Sequence, residues 1–491
     1  MSLNLCIDQS TSATKALLFT ESGALLDSVA LPHAQIYPQP GWVEHDAEEI
    51  YRNTLAAVRM LVARNPEAVE ALGLSITNQR ETFVIFDRAS GRPLHNAVVW
   101  QCVRGEPVCR AMIEAGHEAR VHALTGLKID TYFPAAKLRR LLSEEPALRA
   151  ALASGDALFG TIDTYLIYRL TQGAVYATDH TNASRTLLYD IHTLAWSDEL
   201  FATFAIDAAQ RPAILESAAH FGETDLEGLL AAPLPICGVM GDSQAALFAQ
   251  RCTEPGSAKI TFGTGSSVLM TIGATPVLSD SGIVTAVAWV ADGTPTYAFE
   301  GITNFTGATM AWLRDQLGLI ERVEESEALA RSVADNGGVY LVPAFVGLSA
   351  PYWRPDCRAL ITGLTPSSTR AHVVRAALES IAFVVRDVLV HMESDAGVAL
   401  QAIRADGGAV RNRFLMQSVA DILQCSVLAA RLPELSAWGA ALNGFIGAGV
   451  LTAGDLASLD MAVDRYDPVL APAAVAQLRA GWTHAVAQAL V

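Results

Sequence analysis

The chain has few basic residues for its acidic content. It contains 34 lysines and arginines against 51 aspartates and glutamates, which gives a formal net charge of −17. The basic residues are scattered along the sequence rather than clustered. Such a surface repels nucleic acids and anionic membranes, so we expect neither as a partner. An anionic substrate would need a local basic pocket to overcome this field.

Export, membrane and disulfide signals are also missing. No window reaches 18 uninterrupted apolar residues, so we expect no transmembrane helix. Residues 1–12 contain no basic segment followed by an apolar stretch, so we expect no secretory signal. The seven cysteines are odd in number and form no CxxC pair, which supports neither a disulfide framework nor a structural zinc site. These features are typical of a reduced, cytoplasmic protein.

Neither a GxxxxGK[ST] motif nor a GxGxxG motif after a strand occurs, which excludes a P-loop and a dinucleotide-binding fold. Instead, strand-like runs alternate with helical patterns, such as the apolar spacing over Ala47 to Asn65. This mixture predicts an α/β fold with sheets covered on both faces. A chain of 491 residues is too long for one core, so we expect two large domains.

One pattern occurs once in each half of the chain. LCIDQSTSATKALLF (5–19) and KITFGTGSSVLMTI (259–272) both consist of a strand, a tight turn of small residues and a second strand. Two related domains that face each other across a cleft would produce this repetition. We place the boundary at 245–255 and divide the chain into domains 1–248 and 249–491.

The two turns are candidate phosphate-binding loops. Turns of small residues leave backbone N–H groups uncovered, and these groups can point at phosphate oxygens. Two such turns facing each other could hold a triphosphate from both sides, with Asp8 holding Mg²⁺, through water. Either turn alone is more simply an ordinary hairpin turn, but the pair favours phosphate binding. DGGAVRN (406–412) is a third, weaker candidate for a nucleotide contact.

Polar and aromatic residues suited to a small polyhydroxy molecule follow several strands. Arg80 and Glu81 come directly after a buried strand, where a bend would let both reach one ligand; a surface ion-paired turn is the alternative. Trp100 offers a flat face for C–H groups, although tryptophan is more often a core residue. Tyr132 offers a phenol that can hydrogen-bond a ligand hydroxyl.

Asp242 is the candidate general base. It ends the apolar run PICGVMGD and opens the helical segment SQAALFAQ. A carboxylate there could accept the proton of a substrate hydroxyl as that oxygen attacks a phosphoryl group. The alternative is a structural role as the N-cap of the helix.

Several longer motifs together resemble the glycerol kinase branch of the FGGY carbohydrate kinase family. The resemblance runs from Leu5 to about Trp482. The motifs that carry it are WVEHD (42–46), ITNQRET (76–82), NAVVWQC (96–102), FGTIDTYLIYRLT (159–171), TDHTNASRTLLYDIHTLAW (178–196), LVPAFVGLSAPYW (341–353), ALITGLTPSSTRAHVVRAALE (359–379) and DGGAVRN.

The resemblance implies a fold, a reaction and a set of site residues. The fold would be two ribonuclease-H-like domains of the actin/hexokinase-type ATPase class flanking a cleft, and the family suggests a homo-oligomer, either a dimer or a tetramer. The reaction would transfer phosphate from ATP, with Mg²⁺, to a small polyol such as glycerol. Asp242 would be the base and Asp8 the magnesium-side acid. Arg80, Glu81, Tyr132 and Asp242 would bind the polyol, with Trp100 as an apolar wall, and the ATP site would be lined by Thr11, Ser12, Lys15, Gly263, Thr264, Gly307, Gly408 and Asn412.

Two departures from the family pattern concern the polyol site. The base motif, usually GDQQ, reads GDSQ here, so Ser243 replaces a glutamine. The second loop, usually GTGCF, reads GTGSS, so Ser267 replaces a phenylalanine. Both changes would enlarge the pocket, and a missing contact in a small pocket is worth about 1–3 kcal/mol, or 10–200-fold in preference. A four- or five-carbon polyol is therefore an alternative substrate.

Other readings remain open at this point. A kinase for a pentulose or similar ketose fits the same family, although WVEHD and TNQRET favour the glycerol branch. A non-catalytic ATP-binding sensor fits the fold, although the presence of both Asp8 and Asp242 argues against it. Bacterial relatives controlled by fructose 1,6-bisphosphate carry an arginine in a Gly-rich loop where this chain has the segment 223–235, which contains no basic residue, so we expect no inhibition by that compound.

Overall fold

Two β-sheets with related strand patterns form the frame of the molecule. The computed structural model describes residues 2–206, 208–348, 350–354, 356–459 and 461–491. Ser349, part of the motif at 341–353, lies outside the described residues. No helix in these ranges is both long and apolar enough to span a bilayer.

The first half of the chain builds one main sheet and a smaller one of β4, β7, β6 and β8. The main sheet has the order β13-β14-β5-β1-β2-β3. The elements are β1 (Leu3–Gln9), β2 (Ala13–Thr20), β3 (Leu25–Pro32), β4 (Glu44–His45), α1 (Ala47–Arg64), β5 (Leu74–Asn78), β6 (Phe83–Asp87), β7 (Ala97–Val98), α2 (Glu106–Glu114), α3 (Glu118–Thr125), α4 (Pro134–Glu144), α5 (Pro146–Ser154), β8 (Ala157–Thr161), α6 (Ile162–Leu170), β9 (Ala177–Asp179), α7 (His180–Ala183), β10 (Tyr189–Asp190), β11 (Ala195–Trp196), α8 (Asp198–Thr203), β12 (Ala213–Leu215), β13 (His220–Thr224), β14 (Leu234–Gly241) and α9 (Asp242–Ala249).

The second half builds a sheet of order β17-β18-β16-β15-β21-β22-β23. Its longest helix, α12, packs on β16 and β18 from one face. The elements are β15 (Ser257–Phe262), β16 (Ser266–Gly273), β17 (Val284–Ala291), β18 (Thr294–Thr303), α10 (Gly307–Asp315), α11 (Glu325–Arg331), β19 (Tyr340–Val342), β20 (Leu360–Thr362), α12 (Arg370–Ala396), β21 (Ala402–Asp406), α13 (Arg413–Leu423), β22 (Val427–Ala430), α14 (Leu435–Gly447), β23 (Val463–Tyr466) and α15 (Pro472–Ala489).

The repeated pattern of the sequence corresponds to a repeated sheet topology. In the first sheet, β1 pairs antiparallel with β2 and parallel with β5. In the second, β15 pairs antiparallel with β16 and parallel with β21. Every residue of β1 is buried, as expected of a strand whose two faces are both covered. The two predicted hairpins are therefore confirmed at equivalent places in the two sheets.

Local signals also set the helix limits. The pattern over 47–65 predicts a helix, and α1 covers all of it except Asn65. Its N-cap is Asp46, whose carboxylate accepts hydrogen bonds from the backbone N–H groups of Glu48 and Glu49. These bonds satisfy amides that have no partner within the helix.

Two helices pack between the sheets and join the halves. α9 ends the first half, and α14 comes from the second half but packs on α9, β14, β5 and β1. A Cβ atom at Gly439 would clash with the Ala245 carbonyl, and one at Gly444 would clash with the Ser75 hydroxyl. The absence of side chains at these glycines therefore lets α14 lie directly against its neighbours. The boundary expected at residue 248 lies inside α9, between the last strand of the first sheet and the first strand of the second. The helix α14 lies beyond this boundary in the sequence but packs on the first half.

Candidate active site

A cleft of about 780 Å³ lies between the two sheets and is lined by residues of both halves. It brings together most of the residues that the sequence singled out. Those in its lining are Thr11, Arg80, Glu81, Trp100, Tyr132, Asp242, Ser243, Gly263, Thr264 and Ser267. Those outside its lining are Asp8, Ser12, Lys15, Gly307, Gly408 and Asn412.

The loop between β1 and β2 has free main-chain donors. The Ser10 amide donates to the Ala13 carbonyl and closes the turn. The amides of Thr11 and Ser12 have no hydrogen-bond partner within the described part of the chain. Unpaired N–H groups on a small-residue turn are suitable donors for phosphate oxygens.

The loop between β15 and β16 has the same property. Gly263 donates to the Gly265 carbonyl, whereas the amides of Thr264 and Gly265 have no partner among the described residues. The first turn of α10 holds this loop from behind, because Gly307 donates to the Gly263 carbonyl at 3.0 Å. Gly307 thus lies behind the loop rather than in the cleft lining.

Arg80 and Glu81 both reach the cleft because the chain bends between them. Glu81 has φ of 61°, in the left-handed region, which confirms the predicted bend after β5. Both side chains are almost completely buried, so the surface ion-paired turn is wrong. Burial raises the pKa of Glu81, although the charges of Arg80 and Arg185 act in the opposite direction.

Glu300 and Arg185 complete an ion-pair network that the sequence did not reveal. Arg80 donates to both oxygens of Glu300, at 2.7 and 3.0 Å, across the boundary between the halves. Arg185 lies 2.8 Å from Glu300 and donates to Glu81 at 2.6 Å. Burial acts to raise the pKa of Glu300, but the charges of Arg185 and Arg80 outweigh it and hold that pKa at about 2.

A signal for Glu300 exists in the sequence. Like Asp8 and Asp242, it is a carboxylate that follows an apolar run, here YAF. It was missed because β18 continues to Thr303, so the acid lies within a strand and not at its end.

Asp242 is the first residue of α9, and its N-cap is Gly241. Among the described residues, its carboxylate accepts a hydrogen bond from the amide of Ser243, the next residue, at 2.6 Å and from no amide further along α9, so it does not cap the helix in the usual way. Arg80 Nε lies 3.2 Å from Asp242 Oδ1, and the carboxylate is 39% exposed to the cleft. This acid is therefore oriented by a buried guanidinium and still accessible to a ligand.

A buried polar cluster supports the end of β14 just before Asp242. The Gly241 amide donates to the Thr181 hydroxyl at 2.8 Å, and that hydroxyl donates to Asp179. Asn182 joins the cluster through Asp179 and through paired amides with Asn78 at the end of β5. The motif at 178–196 therefore acts, in part, as the support of Asp242.

Asp8 lies at the end of β1, buried behind the first loop. Lys15 Nζ lies 3.6 Å from its carboxylate and 2.7 Å from that of Glu434. Burial raises the pKa of Asp8 to about 6, against the lowering effect of Lys15, and the negative charges of Glu434 and Asp242 add to the rise. An excess of negative charge around a carboxylate fits a site that a divalent cation would neutralise.

Trp100 and Tyr132 form one wall of the cleft. Their ring centroids are 5.3 Å apart. Lys137, which is completely buried, donates to the carbonyls of Val99, Trp100 and Tyr132. Burial lowers the pKa of Lys137 to about 7. Three carbonyl partners compensate for the missing water, so this lysine ties the two aromatic segments together.

The two unusual serines both line the cleft. Ser243 follows the candidate base, and Ser267 follows the second loop. The Ser267 Oγ atom is buried and has no hydrogen-bond partner in the residues that the structure describes. A buried hydroxyl without a partner is unusual, because buried polar groups are normally hydrogen-bonded.

The DGG turn lies next to the second loop. A Cβ atom at Gly407 would overlap the Phe262 carbonyl, so this glycine permits close packing against β15. Gly408 is exposed, with nothing within 4 Å of the place of its missing Cβ atom. Asn412 is the N-cap of α13: its side chain accepts from the Leu415 amide and donates to Ser326.

The site has the features of an ATP-dependent phosphotransferase. Two hairpin loops with free amides face each other, one carboxylate is available as a base, and a second lies behind a loop. The structure has the two-domain ATPase fold of actin and hexokinase in the form found in sugar kinases, as structural neighbours in that group confirm.

Comparison with known proteins specifies the family. Residues 3–249 match the N-terminal domain, and residues 258–448 the C-terminal domain, of the FGGY family of carbohydrate kinases. This chain belongs to the FGGY family of carbohydrate kinases.

Close relatives match over almost their full length. The chain is 46% identical to a glycerol kinase of Stenotrophomonas maltophilia, covering 99% of this chain and 98% of the relative. It is also 46% identical to glycerol kinase 1 of Thermotoga maritima, with 99% of each covered. A crystal structure of Plasmodium falciparum glycerol kinase with ADP superimposes with a TM-score of 0.95 at 33% identity, covering 100% of this chain and 99% of that one.

Proposed function

We propose that this protein is an ATP-dependent kinase that phosphorylates glycerol, giving glycerol 3-phosphate and ADP. The relatives at 46% identity are glycerol kinases, and the Plasmodium enzyme was crystallised with ADP. The observation that carries the proposal is the position of Asp242, which faces the second hairpin loop across the same cleft and lies 3.2 Å from Arg80.

Asp242 acts as the general base. Glycerol binds between Arg80, Glu81 and Tyr132, with the Trp100 ring against its C–H groups. Asp242 accepts the proton of one hydroxyl while that oxygen attacks the γ-phosphorus of ATP. General-base catalysis of this kind contributes about 10²–10⁴-fold to the rate.

The two loops hold the nucleotide. The free amides of Thr11, Ser12, Thr264 and Gly265 stabilise negative charge on the phosphoryl oxygens. Asp8 is the residue that would hold Mg²⁺, which neutralises charge on the phosphates when bound. We assign nucleotide contacts within the cleft to Thr11, Gly263 and Thr264. We assign further nucleotide contacts, beyond the cleft lining, to Ser12, Lys15, Gly307, Gly408 and Asn412.

Domain division, location and assembly belong to the same proposal. Residues 1–248 and 249–491 act as the two lobes whose closure excludes water from the cleft. Cytoplasmic location is supported by cysteines that are all unpaired and mostly buried. The family resemblance supports a homo-oligomer, which light scattering on the purified protein tests.

A larger polyol is the second candidate substrate. The small side chains of Ser243 and Ser267, which both line the cleft, favour a molecule with one or two carbons more than glycerol. Erythritol, threitol and ribitol are the compounds to compare. If kcat/KM for glycerol clearly exceeds that for all three, this alternative is wrong.

The test is a coupled ADP-release assay on C3 to C5 polyols and ketoses, with Asp242→Asn as the key variant. We expect kcat to fall by about 10³-fold or more in this variant. ADP binding, measured by calorimetry, should survive. Unchanged turnover would remove Asp242 from the mechanism, and the absence of turnover on every polyol and ketose by the unmodified enzyme would contradict the proposed function.

A further inference from the structure

Thr11, at the tip of the first loop, is held by three side chains from two other segments. Its carbonyl accepts hydrogen bonds from His33 Nε2 at 2.9 Å and from Gln35 Nε2 at 2.8 Å. Its hydroxyl oxygen lies 3.0 Å from Trp100 Nε1. The segment that follows β3 also contacts the loop through its main chain, because the His33 amide donates to the Ser12 carbonyl. The carbonyl oxygen and the hydroxyl oxygen of Thr11 are thus both held by hydrogen bonds.

The orientation of Gln35 is set by a chain of buried groups. His45 is completely buried, and burial and the nearby His33 lower its pKa to about 3, so the ring is neutral and carries one N–H. Its Nδ1 accepts from the Gln79 side chain, which places the proton on Nε2. That N–H donates to Gln35 Oε1, at 2.8 Å, and leaves the Gln35 amide nitrogen facing Thr11.

This chain starts at the polyol side of the cleft. Gln79 is buried, lies in the cleft lining and directly precedes Arg80 and Glu81. It also donates to Gln9, which ends β1 just before the loop. The order of bonds is therefore Gln79 to His45 to Gln35 to Thr11. Its direction follows from the Thr11 carbonyl, which can only accept and so requires the Gln35 amide nitrogen to face it.

The Trp100 contact determines what the Thr11 hydroxyl can do. An indole N–H can only donate, so the Thr11 oxygen is the acceptor of this bond. The hydroxyl hydrogen has no acceptor in the described part of the chain, and Thr11 lines the cleft. This hydroxyl is therefore available as a donor to a ligand oxygen.

We propose that His33 and Gln35 are positioning residues for phosphoryl transfer, which hold the first loop so that Thr11, with its oxygen engaged by Trp100, donates its hydroxyl hydrogen to a nucleotide phosphate. This inference rests on the proposed function. It also makes Trp100 a link between the two substrates, because its ring forms the polyol wall while its N–H contacts the phosphate loop.

The first experiment replaces Gln35 by Met, which keeps the length of the side chain and removes the donor. We expect the ATP KM and the ADP dissociation constant to rise roughly 3- to 10-fold, the effect of one lost hydrogen bond, while the glycerol KM stays within about twofold. Gln39→Met is the matched control, because Gln39 is exposed and makes no side-chain bond in the described structure. An unchanged ADP dissociation constant in Gln35→Met would overturn the proposal.

His33 allows a rescue test. His33→Gln keeps an N–H near the position of Nε2 and should bind ADP like the unmodified enzyme, whereas His33→Leu should bind it roughly 3- to 10-fold more weakly. If the two variants lose ADP affinity and thermal stability to the same extent, the residue has only a packing role and the proposal is wrong.

The hydroxyl itself is tested by a double-mutant cycle. Trp100→Phe keeps a ring in the polyol wall but removes the N–H, and Thr11→Val removes the hydroxyl. If the Trp100 N–H acts through the Thr11 hydroxyl, the double variant should bind ADP as Thr11→Val alone does. If the losses of ADP affinity in the two single variants add up in the double variant, the proposed role of the Thr11 hydroxyl is wrong. Because ADP binding requires no polyol, these results are independent of whether glycerol is phosphorylated.

Discussion

The loop between β1 and β2 is anchored mainly by side chains, whereas the loop between β15 and β16 is anchored by the main chain. His33, Gln35 and Trp100 hold the first loop at Thr11. The second loop is held by amides of α10, with Gly307 and its neighbours donating to the loop carbonyls. The two loops occupy equivalent positions in related sheets, so a shared backbone geometry does not require a shared means of support.

The difference corresponds to what lies behind each loop. The first loop has the polyol-binding segment beside it, so side chains can connect it to Arg80 and Glu81 through Gln79. The second loop has the start of a helix beside it, whose first amides lack partners within the helix and need acceptors. We infer that substitutions of distant side chains alter the first loop more than the second.

The largest effect should come from adding a side chain to the second loop. A Cβ atom at Gly265 would overlap the Thr303 carbonyl oxygen, whereas one at Gly263 would have its nearest neighbour 3.4 Å away. Gly265→Ala should therefore displace the loop and lower kcat/KM for ATP by about 100-fold, and Gly263→Ala, which adds no such overlap, should have a much smaller effect. Steady-state kinetics with varied ATP distinguishes them. If Gly265→Ala and Gly263→Ala lower kcat/KM for ATP to the same extent, the distinction between main-chain support of the second loop and side-chain support of the first is wrong.

The next effect concerns the residue that follows the second loop. Ser267→Phe fills space beside the polyol, so kcat/KM for four- and five-carbon polyols should fall by about 10-fold or more relative to glycerol. Ser267→Ala removes only the hydroxyl and should keep the size selection of the unmodified enzyme. If the ratio of kcat/KM for erythritol to kcat/KM for glycerol is unchanged in Ser267→Phe, this position does not face the substrate.

A smaller effect on stability should come from Asp8, the acid behind the first loop. The pKa of Asp8 is raised by burial from 3.8 to about 6, so its ionised form weakens the fold above pH 6 and has no effect well below pH 3.8. Asp8→Asn, without nucleotide or Mg²⁺, should raise the free energy of unfolding at pH 8 by up to roughly 3 kcal/mol.

Activity should nevertheless be lost in this variant. Denaturant titrations at pH 8 and pH 4 measure the stability difference, which should be smaller at the lower pH. Asp27→Asn is the control, since hydrogen bonding to Asn65 lowers the pKa of Asp27 and its replacement should not stabilise the protein. Destabilisation by Asp8→Asn at pH 8 would contradict the expected sign.

The last prediction is that fructose 1,6-bisphosphate has no measurable effect on this protein. The segment 223–235 has no basic residue to bind a bisphosphate. Fructose 1,6-bisphosphate at millimolar concentration should change neither the rate nor the oligomeric state measured by light scattering. A low-micromolar effect would show that a regulatory site exists outside the two loops.

The sequence predicts best those site residues whose positions follow from a local strand or turn pattern. Asp8 and Asp242 each end an apolar strand, and the structure places them at the predicted strand ends. Arg80 and Glu81 lie at the predicted bend. Arg185 and Glu300 were missed, since their ion pairs join residues far apart in the chain and no local pattern records such a contact.

The amino-acid sequence is enough to predict the α/β class, the two hairpins, the strand ends that carry Asp8 and Asp242, and the family. These features depend on periodicity, turn residues and short motifs, which act within a few residues of the chain. Only the tertiary structure decided that Arg80 bridges to Glu300, that α14 packs across the boundary, and that Thr11 is held by His33, Gln35 and Trp100. Those contacts depend on how the separate segments pack together, and packing brings together side chains that no local pattern connects.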